Sequence, residues 1–212
     1  YKHAVLGLVF LKYVSDAFAI RQQELKAAFS NPDDEYFIDP ADFDEGENDP
    51  EYLEEVNAEL EVRDFYTEKN VFWVPKEARW SFLQDNNKVV NGGEIEIGGD
   101  KATGKAGKKI RSVGQLIDNA LEAIERDNAK LKGVLNKQYT TLKIDQSKLG
   151  ELIDLIATIP FNHATMNSKD ILGHVYEYFL GQFALAEGKK GGQYYIMSSS
   201  FFTNECHLQK AA

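Results

Sequence analysis

Residues 167–195 read NSKDILGHVYEYFLGQFALAEGKKGGQYY, and the rest of the chain is organised around them. Asn167 and Ser168 are both good N-cap residues, and Asp170 falls in the positive first turn of the helix they open. Leu172, Val175, Phe179, Phe183 and Ala186 recur at spacings of three and four, which draws one apolar stripe. Gly188 suits the C′ position, and Lys189 and Lys190 stand where a helix C-terminus favours cations. Gly191 and Gly192 then release the backbone. The expected organisation is a helical domain over residues 1–187, a Gly/Lys hinge over 188–195 and a distinct tail over 196–212. The 167–187 helix is expected to pack on the first helix of the chain.

Upstream of that stretch the composition is that of a folded protein. Hydrophobic residues make up 43% and aromatics 12% of the 212, enough for a core and too many for disorder. A single cysteine, Cys206, rules out an internal disulfide framework and suits a reducing cytoplasm. The longest apolar run, residues 4–11, is far short of the roughly 20 residues that cross a bilayer. No secretory signal is visible, so a cytoplasmic chain with no membrane partner is expected. Tyr1 rather than methionine comes first, so a natural start upstream of it is the expectation. The net charge of −10 argues against nucleic acid until its distribution is examined. Residues 33–64 hold fifteen Asp/Glu and one basic residue, Arg63. That leaves nineteen acidic and twenty-three basic residues elsewhere, a mildly basic remainder.

The pattern along the chain predicts a mainly α fold with a small β-hairpin or short strands around residues 71–97. Residues 3–28 form the first helix, apolar nearly all round in its early turns and therefore central, with Lys12 placed either to snorkel or to pair with Asp16 and residues 21–26 as a solvated end. An acidic loop over 33–48 is anchored by Tyr36, Phe37, Ile38 and Phe43. Asp49-Pro50-Glu51 starts a short helix with Leu53, Val56 and Leu60 inward. NVFWVPKEARWSFL, residues 70–83, reads as an extended piece ending at Pro75 and then a helical turn. Alternation at Val89/Val90 and Ile95/Ile97, between glycine pairs, suggests the hairpin. Ser112-Val113-Gly114-Gln115 is a capping box for a helix to about Asn128, with Leu116, Ile117, Ala120, Leu121 and Ile124 inward. KLGELIDLIATI, residues 148–159, is a further amphipathic helix stopped by Pro160.

Several chemical motifs are mimicked and none is complete. With Gly46 at the sixth position of a calcium loop, positions one, three and twelve fall on Ala41, Phe43 and Tyr52, which are not ligands. Gly99-x-x-x-x-Gly104-Lys105 resembles a phosphate-binding loop, but Ala106 occupies the Ser/Thr position. Glu151 and Asp154 read as a solvated face, and His3, His163, His174 and His207 form no metal pattern. Trp73 and Trp80 read as core rather than as base-stacking residues. Lys101, Lys105, Lys108 and Lys109 read as a solvated linker, with phosphate contact as the alternative. No catalytic residue and no metal ligand is assigned.

SKDILGHVYEYFLGQFALAEGKKGGQYY closely resembles the segment joining the helical N-terminal domain to the methyltransferase domain in M subunits of type I restriction–modification systems. YKHAVLGLVFLKYVSDAF, NVFWVPKEARWSFL and KLGELIDLIATI resemble the same family, in the same order. The resemblance implies part of an adenine-N6 DNA methyltransferase subunit that uses S-adenosylmethionine and works with DNA, a specificity subunit and other subunits of the complex. It further implies that Gln193, Tyr194 and Tyr195 are one edge of the cofactor site, although Ile196 and Met197 stand where the family has Thr-Pro. Lys189 and Lys190, with Lys105, are the expected DNA-phosphate contacts.

The family's chemistry also needs an Asp-Pro-x-x-Gly-x-Gly turn around the cofactor and an Asn-Pro-Pro-(Phe/Tyr) loop for the flipped adenine. Neither occurs in these 212 residues. The chain by itself is therefore expected not to methylate and not to hold S-adenosylmethionine tightly. The 196–212 tail matches no pattern of the family, as a truncated gene, a shifted reading frame or an artificial end would give. A stand-alone helical interaction or regulatory module derived from such a subunit is the competing expectation.

Overall fold

The computed structural model describes residues 2–99 and 104–159. The expected helix over 167–187 with its packing on the first helix, the hinge and the tail lie outside these residues, as do Lys101, Pro160, His163, His174 and His207. Helix α1, Lys2–Phe29, runs about 42 Å at 1.5 Å per residue. Ala4, Leu8, Leu11, Val14, Phe18, Leu25 and Phe29 are its buried side, at spacings that follow the helical repeat. Helices α4 (Trp80–Val90), α5 (Val113–Asp127) and α6 (Gln146–Ala157) close the core, α4 and α6 against α1 and all three against one another. Lys12 pairs with Asp16 on α1, as the i,i+4 spacing predicts.

The best-defined stripe belongs to α5. Leu116, Ile117, Ala120, Leu121 and Ile124 are all buried, each large one worth about 1.5–3 kcal/mol when fully removed from water. Ser112 accepts the Gln115 N–H at 3.2 Å, and the Gln115 side chain reaches back to the Arg111 N–H at 2.8 Å. That is the expected capping box, moved back one residue on its return bond. At the other end Asn128 closes the helix on the Ile124 carbonyl and pairs through both amide atoms with the backbone of Trp73, at 2.9 and 3.0 Å. The extended 71–75 segment is held by that side chain and joins no strand.

Helix α2, Pro50–Glu59, begins as expected, with Asp49 accepting the Glu51 N–H at 2.8 Å. Those backbone donors, Glu45 first and then Glu51, hold the Asp49 carboxyl below its usual range. Its inward side departs from expectation. Tyr52 and Leu60 are buried while Leu53 is 47% exposed. The reason is a ring contact: Phe43 from the acidic loop meets Tyr52 edge-on at 5.3 Å and turns that side of the helix in.

The expected solvated end of α1 is also corrected. Arg21 is only 9% exposed, because it donates to the Phe65 carbonyl at 2.9 Å and pairs with Glu68 at 3.0 Å on and after α3, Asp64–Thr67. Beneath it Tyr66 stacks on Phe18 at 4.2 Å, and Trp73 meets both rings edge-on. The Tyr66 hydroxyl donates to the Leu60 carbonyl at 2.7 Å, and burial pushes its pKa up to about 12. Arg79 lies over Phe18 at 4.7 Å and binds both oxygens of Glu61. Ser15 of α1 accepts the Trp80 N–H at 2.7 Å, doing for α4 what no local side chain does.

The fold is thus mainly α with one small hairpin, as the sequence predicts, but the hairpin is built differently. Val89 and Val90 end α4 rather than starting a strand. Strand β1, Ile95–Ile97, pairs antiparallel with β2, Lys108–Ile110, in the register Ile95 to Ile110. The second strand reads in sequence as a lysine-rich linker, and only Ile110 enters the core.

Candidate nucleic-acid interface

The hairpin carries the described cations that the sequence offered to phosphate. Gly107 lets the two strands approach: a Cβ there would lie 2.6 Å from the Glu96 side chain and 2.7 Å from the Ile97 carbonyl. Gly104, at φ +70°, turns the chain into β2 in a conformation other residues avoid. Lys105 follows it, exposed and with no ion pair among the described residues.

The strand lysines are differently placed from Lys105. Lys108 pairs with Glu122 of α5 at 2.9 Å, and Lys109 with Glu94 at 2.7 Å. Arg111 takes the second oxygen of Glu94 at 2.9 Å. Hydrogen bonds from Lys109 and then Arg111 hold Glu94 below the usual carboxylate range, and Lys108 does the same for Glu122. Three of the local cations are therefore already engaged within the fold, by two carboxylates, Glu94 being shared by Lys109 and Arg111. Sequence reasoning grouped Lys108 and Lys109 with Lys105 because their acids lie 14 and 15 residues away. An open cleft of about 360 Å³ lies beside the hairpin, lined by Gly92, Gly93, Glu94, Arg111 and Gln146, and its one cation is matched by its one anion.

Charge is segregated over the rest of the surface. Residues 33–59 hold thirteen carboxylates, and none forms an ion pair among the described residues. Glu61, the next acid, is the first to find a cation, Arg79. The two tryptophans serve packing, as expected: Trp80 is buried, and Trp73, partly exposed, packs into the Phe18–Tyr66 cluster. Glu151 is exposed, as expected, whereas Asp154 accepts from the buried Asn87 at 3.1 Å. No cluster of potential metal ligands occurs among the described residues, and none of their helices is long and apolar enough to cross a membrane. Lys189, Lys190, Gln193, Tyr194 and Tyr195 lie outside the described residues.

Comparison with known proteins supplies the context for this geometry. The chain is 32% identical over 200 residues to the type I restriction enzyme MjaIX methylase subunit of Methanocaldococcus jannaschii, covering 94% of this chain and 30% of that protein. It is 42% identical over 133 residues to the type I restriction enzyme HindI methylase subunit of Haemophilus influenzae, covering 59% of this chain and 28% of that one. The chain thus spans under a third of the length of the relatives it matches. Residues 167–199 match the N-6 DNA methylase family. Residues 1–156, which include every element described above except the last residue of α6, match the HsdM N-terminal domain, and the chain belongs to that family.

Proposed function

We propose that this chain is the N-terminal helical module of a type I adenine-N6 DNA methylase subunit, contributing DNA engagement and subunit assembly rather than the methyl-transfer chemistry. The observation that carries the reading is the order of the two matches, the HsdM N-terminal domain over 1–156 and then N-6 DNA methylase from 167. Residues 1–187 act as the helical module and 188–195 as the hinge towards the methylase portion, with 196–212 as a separate tail. Lys105, with Lys189 and Lys190, meets DNA phosphates. Gln193, Tyr194 and Tyr195 form one edge of an S-adenosylmethionine site whose remaining walls belong to parts of such subunits that this chain does not span. The unpaired carboxylates of residues 33–59 face away from DNA, or towards a basic subunit, since like charge repels the phosphates.

Fluorescence anisotropy with one random duplex and one candidate target, at two salt concentrations, tests this. Binding is expected to be weak, equal for the two duplexes and lost as salt rises, because phosphate contacts release counterions and carry no sequence information. Lys105→Ala lowers it, and added S-adenosylmethionine leaves it unchanged. Tight binding that separates the duplexes and survives salt overturns the modular reading. No binding at either salt concentration leaves the acid-rich face as the working surface and favours a purely protein-facing module.

A further inference from the structure

Residues 88–94 read KVVNGGE, and Asn91-Gly92 is the one Asn-Gly pair in the sequence. Such a pair is chemically reactive in water. The backbone nitrogen after an asparagine attacks the side-chain amide carbon, and a glycine there, lacking a Cβ, leaves the approach open and lets the backbone turn into it. Burial and helical structure suppress the reaction, because they fix the backbone and keep the attacking nitrogen in a hydrogen bond. Where the pair stands in the fold therefore decides its fate.

Helix α4 ends at Val90, and Asn91 is its C-cap, at φ −77° and ψ 0°. Asn91, Gly92 and Gly93 are all exposed, and the Asn91 amide has no hydrogen-bond partner among the described residues. The Gly92 N–H reaches the Val89 carbonyl at 3.4 Å, which is long for such a bond. Turning Asn91 away from ψ 0° thus breaks one weak bond and no helical turn. A Cβ built on Gly92 meets nothing within 4 Å, so the attack has free space around it. The other described asparagines are all protected. Asn31 precedes Pro32, which has no N–H to attack with, and Asn57 and Asn86 lie inside helices. Asn87, Asn119 and Asn128 are buried. Asn48, Asn70 and Asn136 precede Asp49, Val71 and Lys137, whose side chains crowd the attacking nitrogen.

We propose that Asn91 is a site of spontaneous covalent modification, by deamidation through a cyclic imide with Gly92. The Gly92 nitrogen bonds to the Asn91 Cγ, the bond from Cγ to the amide nitrogen breaks, and ammonia leaves with the Gly92 proton. Water then adds to one of the two imide carbonyls and opens the ring to aspartate or isoaspartate. No oxidant or reductant takes part. Asn91 lines the open cleft together with Glu94 and Arg111, so conversion gives that cleft a second carboxylate for its one arginine. The new charge also stands at the C-terminal end of α4, where the helix dipole disfavours an anion. The result is a slow, irreversible change of charge between α4 and β1, and it is independent of DNA engagement.

Ageing the full 212-residue chain in mildly alkaline buffer at physiological temperature tests this. Tryptic cleavage after Lys88 and Lys101 isolates residues 89–101, in which Asn91 is the sole asparagine. With time that peptide is expected to gain about 1 Da and to divide into aspartyl and isoaspartyl forms on chromatography. A sample digested before ageing gives the parent peptide. Gly92→Ala is expected to slow the conversion at least about tenfold, and Asn91→Gln to stop it. Alanine fits at 92, which has open space and no left-handed backbone, so the variant keeps the fold. A peptide that keeps its mass in the folded chain overturns the proposal, whether or not the chain reacts in urea. Equal rates in Gly92→Ala and the parent, or at Asn91 and the helical asparagines, also overturn it. None of these outcomes bears on the DNA titration, so failure here is distinguishable from failure of the proposed function.

Discussion

Two alanine substitutions of helical glycines are expected to act in opposite directions. Alanine in place of glycine inside a helix ordinarily stabilises by about 0.5–1 kcal/mol, because the backbone has less freedom to lose. Gly150 of α6 offers room for this: an added Cβ would meet its nearest neighbour, the Asn87 side chain, at 3.9 Å, which is ordinary contact. Gly150→Ala should therefore gain about 0.5–1 kcal/mol. Gly114, the second residue of α5, has no such room. A Cβ there would lie 2.7 Å from the Tyr139 carbonyl oxygen and 3.0 Å from the Thr140 nitrogen.

That neighbouring backbone is held in place from several sides. Asp118 accepts the Tyr139 and Thr140 N–H groups at 2.9 Å and the Thr140 hydroxyl at 2.7 Å. The Tyr139 hydroxyl donates to the Ala4 carbonyl at 2.5 Å, where a side chain on Gly7 would collide with it. Overpacking costs about 1–3 kcal/mol, so Gly114→Ala should lose about 1–2 kcal/mol net. The two variants should differ by about 2 kcal/mol in urea denaturation, or about 4–8 °C in Tm for a domain of this size. If Gly114→Ala proves as stable as Gly150→Ala, the close approach of α5 to the 139–140 backbone is refuted.

Two further outcomes follow from the same packing. Asn128→Ala removes the cap of α5 and both bonds to Trp73, and should cost about 2–3 kcal/mol; a loss below 0.5 kcal/mol, on a urea titration good to about that figure, would show that the 71–75 segment is held by other contacts. The Glu94 and Glu122 carboxyls are depressed by Lys109, Arg111 and Lys108, so these pairs contribute stability above the unfolded glutamate pKa and lose it as pH falls through the folded values. Glu94→Gln should therefore lower stability at neutral pH and match the parent in acid, and a difference that persists or grows in acid would contradict the sign.

The elements legible in the sequence are those whose physics is local. Asp49 and Ser112 cap backbone groups two and three residues away, and the α5 stripe repeats within one helix, so both could be read before any fold was known. Family membership was legible for the same reason, since it is carried by short runs such as the one ending in Gly-Lys-Lys-Gly-Gly. The candidate interface was legible only as a set of lysines. Which of them remain unpaired was decided by Glu94 and Glu122, brought to β2 across the hairpin and from α5.

The remaining differences have the same origin. Arg21 is buried by a carbonyl 44 residues on, Ser15 caps a helix 65 residues on, and Asn128 secures a segment 55 residues back. Leu53 faces outward because Phe43 claims Tyr52, and β2 exists because β1 lies beside it. The sequence by itself determined where helices start, which residues have helical periodicity and which family the chain belongs to. Only the tertiary structure decided which polar groups are satisfied and which charges remain exposed, because hydrogen bonds and ion pairs form between groups that folding brings within about 3 Å, whatever their separation along the chain.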